Sequence, residues 1–441
     1  MVRETSRCLS MQEKAKSFIP GMTQLLSKRP DRFSMGVWPT YFRKAKGAYI
    51  WDLDGNRYLD MSIGGIGANI LGYADPDVDN AVIGAIRNGT SSSLNCPEEI
   101  ELAELLCQLH PWAQMVRYAR TGGEALAIAV RIARAFTQKD KVAFCGYHGW
   151  HDWYLAANLG TEDALGAHLI SGLSPIGVPE GLRNTAFPFR YNHIDELKGI
   201  IKNHGRELAA IIMEPIRNFE PEPGFFENVR ALSNEVGAVL IVDEISAGFR
   251  LATGGAHMVL FDESPDIAVF SKALGNGYPI SAVIGKKSIM QAAQSTFISS
   301  TNWTERVGPA AAIATIRKHR KFDVHKHLMA LGEKIQQGWL KFAHQYDLPI
   351  RVSGISPMRH FVFEAKKKRV MKAYFIQSML EKGFLASTLF YAMYAHTPDH
   401  VKHYLEALDK VFSELQEALG RGTLNSQLVG LPSEVGFQRL N

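Results

Sequence analysis

Five short apolar runs, at residues 116–119, 142–145, 208–213, 238–242 and 267–270, alternate with longer stretches of helical periodicity. Each run is continuous rather than alternating, so both of its faces must be covered. Helices on the two sides of a mostly parallel sheet achieve this, which predicts an α/β large domain over residues 70–312. Ahead of it, Asp54-Gly55 lies between two strand-like runs in Gly47-Ala-Tyr-Ile-Trp-Asp-Leu-Asp-Gly-Asn-Arg-Tyr-Leu-Asp60, a tight-hairpin signal. Residues 1–69 therefore read as an N-terminal segment and part of a small domain. Beyond Ala312 the chain turns mostly helical, with strand candidates at 350–352 and 360–363 and a periodic helix from His400 to about Leu419. Residues 313–441 are expected to form the C-terminal small domain. No repeat or low-complexity linker separates these pieces, so the two chain ends should join in one small α+β domain. With 441 residues, 46% of them hydrophobic, the chain can bury a large core.

The net charge of +5 is not gathered into an extended basic tract. The one cluster, Lys366-Lys-Lys-Arg369, precedes an amphipathic stretch and reads as a solvated helix start, so nucleic acid is not an expected partner. Cys8, Cys96, Cys107 and Cys145 show no C-x-x-C spacing and read as reduced thiols of a reducing compartment. The first 20 residues carry Arg3, Glu4, Arg7, Glu13 and Lys14 without an apolar core, and no stretch approaches the roughly 18 apolar residues of a membrane span. A cytoplasmic protein without membrane attachment is expected.

Chemistry enters at Lys272, which leaves an apolar strand into the Gly-rich turn Ser271-Lys-Ala-Leu-Gly-Asn-Gly-Tyr-Pro279. Partial desolvation there would lower the amine's pKa and make it the nucleophile that Schiff-base chemistry requires. Asp243, at the end of another apolar run, would suit a pyridinium nitrogen, and the pair suggests pyridoxal 5′-phosphate. The second motif is Thr121-Gly-Gly-Glu124 before a strongly helix-forming run. Thr121 and Glu124 fit a capping box, and a helix start with two glycines offers backbone N–H groups and a positive dipole end to a phosphate. Taken alone it is equally a capped helix whose glycines allow close packing. The third is Cys145-Gly-Tyr-His-Gly-Trp-His-Asp-Trp153, just past a strand, where a flat ring could stack on Tyr147. His148, His151 and Asp152 span one helical turn without a further ligand cluster, so no metal site is expected. Trp150 and Trp153 read as packing residues.

Thr121-Gly-Gly-Glu124, Tyr147-His-Gly149, Glu214-Pro215, Asp243-Glu-Ile-Ser-Ala-Gly-Phe-Arg250 and Ser271 to Pro279 resemble, in order and spacing, the class III pyridoxal-phosphate aminotransferases. The resemblance covers roughly residues 17–415. Phe18-Ile-Pro-Gly21, the hairpin at 45–56 and Ala395-His-Thr397 bring it nearest to the glutamate-1-semialdehyde aminomutases. It implies fold type I, with Lys272 bonded to the cofactor aldehyde and Asp243 paired to the ring nitrogen. Ile245 and Tyr147 would sandwich the ring, and Thr121, Gly122 and Gly123 would cradle the phosphate. His148 and Glu214 belong to the same cofactor-contacting signature, and Asn218 is placed by analogy near the ring hydroxyl. A threonine from a partner subunit contacts the phosphate in this family; the Thr-x-x-x-x-Pro pattern selects Thr304, ahead of Ser300 and Thr301. A homodimer with a shared site is implied. So is a two-step reaction in which an amino donor displaces Lys272, the freed amine moves the donor's proton, and a carbonyl acceptor is then aminated, with pyridoxamine phosphate as the intermediate cofactor form.

Two departures bear on the substrate. The aminomutases carry an arginine for the substrate carboxylate where this chain has Lys28, with Arg29 and Arg32 nearby, and lysine offers a point charge in place of a bidentate fork. Many class III aminotransferases use a late arginine for an α-carboxylate, and residues 385–396 contain none. A substrate lacking that carboxylate is expected, such as an oxidised sugar or another hydroxylated aldehyde or ketone, on which Trp38, Tyr41, Trp150, Trp153, Phe189, Tyr191 and Trp303 could stack. Three readings follow: an aminotransferase, an intramolecular aminomutase, and a cofactor-binding protein without turnover. Retention of both Lys272 and Asp243 disfavours the last. The Gly- and Pro-rich stretch 172–181 is the candidate lid.

Overall fold

The computed structural model describes residues 4–216, 218–434 and 436–437. They fall into two compact units, one spanning Pro76–His325 and the other combining the residues up to Asp75 with those from Lys326 onward.

In the first unit, seven strands form one sheet among the described residues. They are β1 (Met115–Ala119), β2 (Lys141–Cys145), β3 (Ala186–Pro188), β4 (Leu208–Met213), β5 (Val239–Asp243), β6 (Ile267–Phe270) and β7 (Ser281–Gly285). Their order is β1-β7-β6-β5-β4-β2-β3. All neighbours run parallel except β7, which is antiparallel to both β6 and β1. The five apolar runs are five of these strands. Alternate residues feed two cores: Val142, Phe144, Ile212, Ile241 and Val269 pack beneath the Gly122–Thr137 helix, whereas Ala143, Ile211, Leu240 and Val242 face Phe225, Phe226 and Val229. Apolar side chains are thus required on both faces, and the two-residue period disappears from the sequence.

That topology brings the chemistry to one edge. Val269 pairs with Asp243, so β5 and β6 end level, with Asp243 at the last position of one and Lys272 two residues past the other. The Gly122–Thr137 helix begins just after β1, with the Glu124 carboxylate accepting from the backbone N–H of Arg120 at 2.9 Å.

In the second unit, Arg57–Met61 pairs antiparallel with Tyr49–Asp52 across the Asp54-Gly55 turn. Phe384–Ala386 adds to it in parallel, so both chain ends build one small domain. Asp54 also accepts from the N–H groups of Arg7 (2.8 Å) and Cys8 (3.0 Å), capping the Ser6–Phe18 helix from the hairpin turn. Among the described residues, no helix is long and apolar enough to cross a membrane.

Candidate active site

Asp243 is 2% exposed and its two oxygens are separately held. Oδ1 accepts from the N–H of Ile245 at 3.0 Å, and Oδ2 lies 2.8 Å from Nδ1 of His148. His148 is fully buried, and its Nε2 sits 3.2 Å from the carbonyl of Cys145 at the end of β2. Sequence reading expects His148 among the cofactor contacts; in the structure its Nδ1 lies against the Asp243 carboxylate. Glu244 turns the other way, where its carboxylate accepts from the N–H groups of Ala256 (3.0 Å) and His257 (2.8 Å) and meets His257 Nδ1 at 2.6 Å. Of two adjacent buried acids, one ties a loop and the other closes the end of β5.

Lys272 has φ of +48°, in the left-handed region that costs a non-glycine residue on the order of 1–2 kcal/mol. Its Nζ donates to the hydroxyl of Ser246 at 2.8 Å. Ser246 was not singled out by motif reading, because a serine within a turn carries no periodic signal.

A Cβ on Gly122 would sit 2.7 Å from Cδ1 of Ile245, and one on Gly123 would sit 3.0 Å from Nδ1 of His151. The glycines are therefore required for Ile245 and His151 to close over the helix start. His151 is half-buried and stacked on Trp150 at 4.5 Å, and its Nδ1 is a buried polar atom with no hydrogen-bond partner. Burial lowers its pKa from the ordinary value, against the raising effect of Glu124 and Asp152. Tyr147 is braced where its N–H donates to Glu214 at 3.1 Å, and Glu214 in turn donates its own N–H to the Cys145 carbonyl. Asn218 lines a cleft with Gly146, His168, Arg190, Tyr191 and Glu214.

Thr304 is exposed, with its hydroxyl 3.1 Å from the carbonyl of Thr301. Arg120, the residue before the glycine loop, fixes this segment: it donates to the carbonyls of Trp303 (2.9 Å) and Glu305 (3.0 Å) and pairs with the Glu305 carboxylate at 3.0 Å. In the small unit, Arg29 is committed to Asp31, with Nε and Nη2 at 3.1 and 2.6 Å from its two oxygens. Lys28 is exposed, and its charge lowers the pKa of buried Asp60, which burial raises. Arg32 is half-buried and reaches the carbonyl of Glu434 at 3.4 Å. The aromatic residues are mostly packing: Trp38 stacks on Phe33 at 4.0 Å, and Phe189 and Trp153 are buried in the core of the large unit. Trp150 is 69% exposed.

The donor set fits pyridoxal phosphate. A held carboxylate, an amine on the neighbouring strand exit, and a glycine-opened helix start beside an unsatisfied imidazole nitrogen match a pyridinium, an aldehyde and a phosphate. Residues 34–419 match the aminotransferase class-III family. The chain belongs to the class-III aminotransferases. It is 33% identical over 427 residues to a 3-aminobutyryl-CoA aminotransferase from Cloacimonas acidaminovorans (strain Evry), covering 94% of this chain and 98% of that one. The structure of the pyridoxal-phosphate internal aldimine form of the FumI protein from Sphingopyxis sp. MTA144 matches with a TM-score of 0.85 at 26% identity, over 97% of this chain and 99% of that one. A glutamate-1-semialdehyde aminomutase from Pseudomonas aeruginosa PAO1 matches with a TM-score of 0.79 over 93% and 94% of the two chains, and at 21% identity that is a likeness of fold. The aminotransferase is thus a pyridoxal-phosphate enzyme of fold type I that takes an amino donor and a carbonyl acceptor. A binding protein without turnover is set aside.

Proposed function

We propose that this aminotransferase moves an amino group from an amino-acid donor to an aldehyde or ketone whose reacting carbon bears no free carboxylate. Arg29 is the observation that carries the substrate class: both carboxylate oxygens of Asp31 occupy its guanidinium. The Nε–Nη2 edge of that guanidinium is thereby given to a buried partner and is not offered to a substrate α-carboxylate. Lys28 supplies only a point charge there, and residues 385–396 contain no arginine. The compound named for the relative, 3-aminobutyryl-CoA, bears its amine away from a free carboxylate, which agrees with this reading. Hydroxylated aldehydes and ketones remain within the class, although burial of Trp38, Phe189 and Trp153 removes much of the stacking surface that favoured sugars.

In this reading Lys272 would hold the cofactor aldehyde, and its amine, when free, would carry the proton to and from the amine-bearing carbon of the donor. Asp243, steadied by His148 and the Ile245 N–H, keeps the ring nitrogen protonated. Bound in this way, the cofactor withdraws electrons from the carbon being deprotonated. Ile245 and Tyr147 confine the ring, Thr121, Gly122 and Gly123 hold the phosphate, and Glu214 keeps Tyr147 in place. Asn218 would approach the ring hydroxyl. Thr304 is exposed on a segment fixed by Arg120, and in this reading it would reach the phosphate of a second subunit in a homodimer.

The test is to add L-glutamate to the loaded enzyme and follow the visible spectrum together with 2-oxoglutarate release. Bleaching with stoichiometric keto acid, followed by amination of 3-oxoacyl thioesters or hydroxylated aldehydes in preference to 2-oxo acids, supports the proposal. Turnover of glutamate-1-semialdehyde without any donor half-reaction would overturn it in favour of an aminomutase.

A further inference from the structure

We infer that Ser246 is a positioning residue for the reactive amine: it receives Lys272 whenever that lysine is not bonded to the cofactor. The inference rests on the reading of Lys272 given above, and its evidence is the 2.8 Å contact between Nζ and the Ser246 hydroxyl.

The hydroxyl is held in place by its own turn. The carbonyl of Ser246 accepts from Nε of Arg250 at 3.0 Å, and Arg250 is 1% exposed. The N–H of Gly248 donates to the carbonyl of Glu244 at 2.8 Å, closing residues 244–248 into one helical turn. That turn lies flush against β6: a Cβ on Gly248 would stand 3.0 Å from the ring of Phe270, two residues before Lys272. The same turn carries the Ile245 N–H that fixes Asp243. Ser246 and Asp243 are therefore parts of one rigid element, one facing the amine and the other available to the ring nitrogen.

The choice of a hydroxyl has a chemical reason. An amine that leaves and returns in every cycle must be held both as ammonium and as free base. A carboxylate would favour the charged, non-nucleophilic form, and an apolar neighbour would hold neither. A hydroxyl has one donor and two acceptor sites, so it accepts from the ammonium and can donate to the free amine after rotating. The left-handed backbone of Lys272 sets the origin of a flexible four-carbon side chain, and the Ser246 hydroxyl is a fixed point for its tip.

The experiment uses full-length apoenzyme of wild type, Ser246→Ala, Ser246→Thr and Lys272→Ala. Pyridoxal phosphate is added over a range of pH, samples are quenched with borohydride at intervals, and the labelled peptide is identified by mass. Hydride adds to the cofactor carbon and a proton to the nitrogen, so the label marks whichever lysine held the aldehyde. Labelling of Ser246→Ala at Lys272 is expected to slow about tenfold, as for loss of one hydrogen bond to an amine. Its pH midpoint should move down, because the hydroxyl holds the ammonium more strongly than the free amine, and the rates are compared above both midpoints, where the amine is free base in every variant. Ser246→Thr should restore both, and unchanged thermal melting of the apo variants shows that the fold is intact. Wild-type rate and midpoint in Ser246→Ala would overturn the inference while leaving Lys272 in its role. A label on another lysine, or one that survives in Lys272→Ala, would overturn the underlying reading instead.

Discussion

His148 and Asp243 meet through a 2.8 Å contact between Nδ1 and Oδ2, with side chains 0% and 3% exposed. Removing one member of a buried pair leaves the other unsatisfied, so the two are predicted to act as a unit. Asp243→Asn should lower kcat by on the order of 10²–10³-fold, and His148→Gln by about tenfold with weaker cofactor retention. The double variant should be no worse than Asp243→Asn alone. Additive losses in steady-state rates would show that His148 contributes independently of Asp243.

The unpartnered Nδ1 of His151 beside Gly123 predicts a contribution to holding the phosphate. His151→Ala should weaken binding of pyridoxal phosphate to the apoenzyme about tenfold, the size of one charge-assisted hydrogen bond. Binding of pyridoxal, which lacks the phosphate, should be unchanged. Fluorescence titration with both compounds separates a phosphate contact from a general loss of structure, which would weaken both equally.

Gly122 is predicted to tolerate no side chain. A methyl group 2.7 Å from Cδ1 of Ile245 must displace either the helix start or the ring-packing residue. Gly122→Ala should cost about 1–3 kcal/mol of stability in thermal or denaturant melts and should reduce cofactor binding as well. Truncating the obstacle in Gly122→Ala with Ile245→Val should recover part of the stability. Failure to recover any would place the strain elsewhere.

How much of this was legible beforehand follows from what each feature depends on. Five strands of the sheet were visible because burial on both faces forces continuous apolar runs. β3 was not, being three residues at the sheet edge and ending in Pro188. β7 was masked by Ser281 and Gly285 at its ends; the Ser281 hydroxyl is satisfied by Ser271 at 2.7 Å, a partner no local pattern reveals. The strand-end positions of Lys272 and Asp243 and the helix start at Thr121 were legible because strand ends and caps have sequence signals. Ser246, Arg120 and His151 were not, since each matters through a contact between segments distant in sequence. The commitment of Arg29 to Asp31, two residues away, was also hidden, because proximity in sequence does not say which way two side chains turn.

Three buried histidines predict how the fold responds to acid. His110 lies with Nδ1 2.9 Å from the Leu106 carbonyl while Nε2 accepts from the Gly255 N–H at 3.0 Å, so its neutral form is required. His396 is arranged alike, with Nε2 2.7 Å from the Asp60 carbonyl and Nδ1 accepting from the Met393 N–H. His319 is held between the Phe249 carbonyl and Thr253. Burial pushes all three down to about 4. In the unfolded chain they take up protons near pH 6.5, so between about 6.5 and 4 the unfolded state binds more protons than the folded one. Stability must then be full above about pH 6.5 and fall as the pH is lowered through this window, by a few kcal/mol for each residue once pH 4 is reached. Thermal midpoints measured from pH 7.5 to 4 should show this decline, and His110→Gln, unable to take up the proton, should flatten it. A midpoint independent of pH across that range would mean that these imidazoles take up protons as readily in the folded protein as in the unfolded chain.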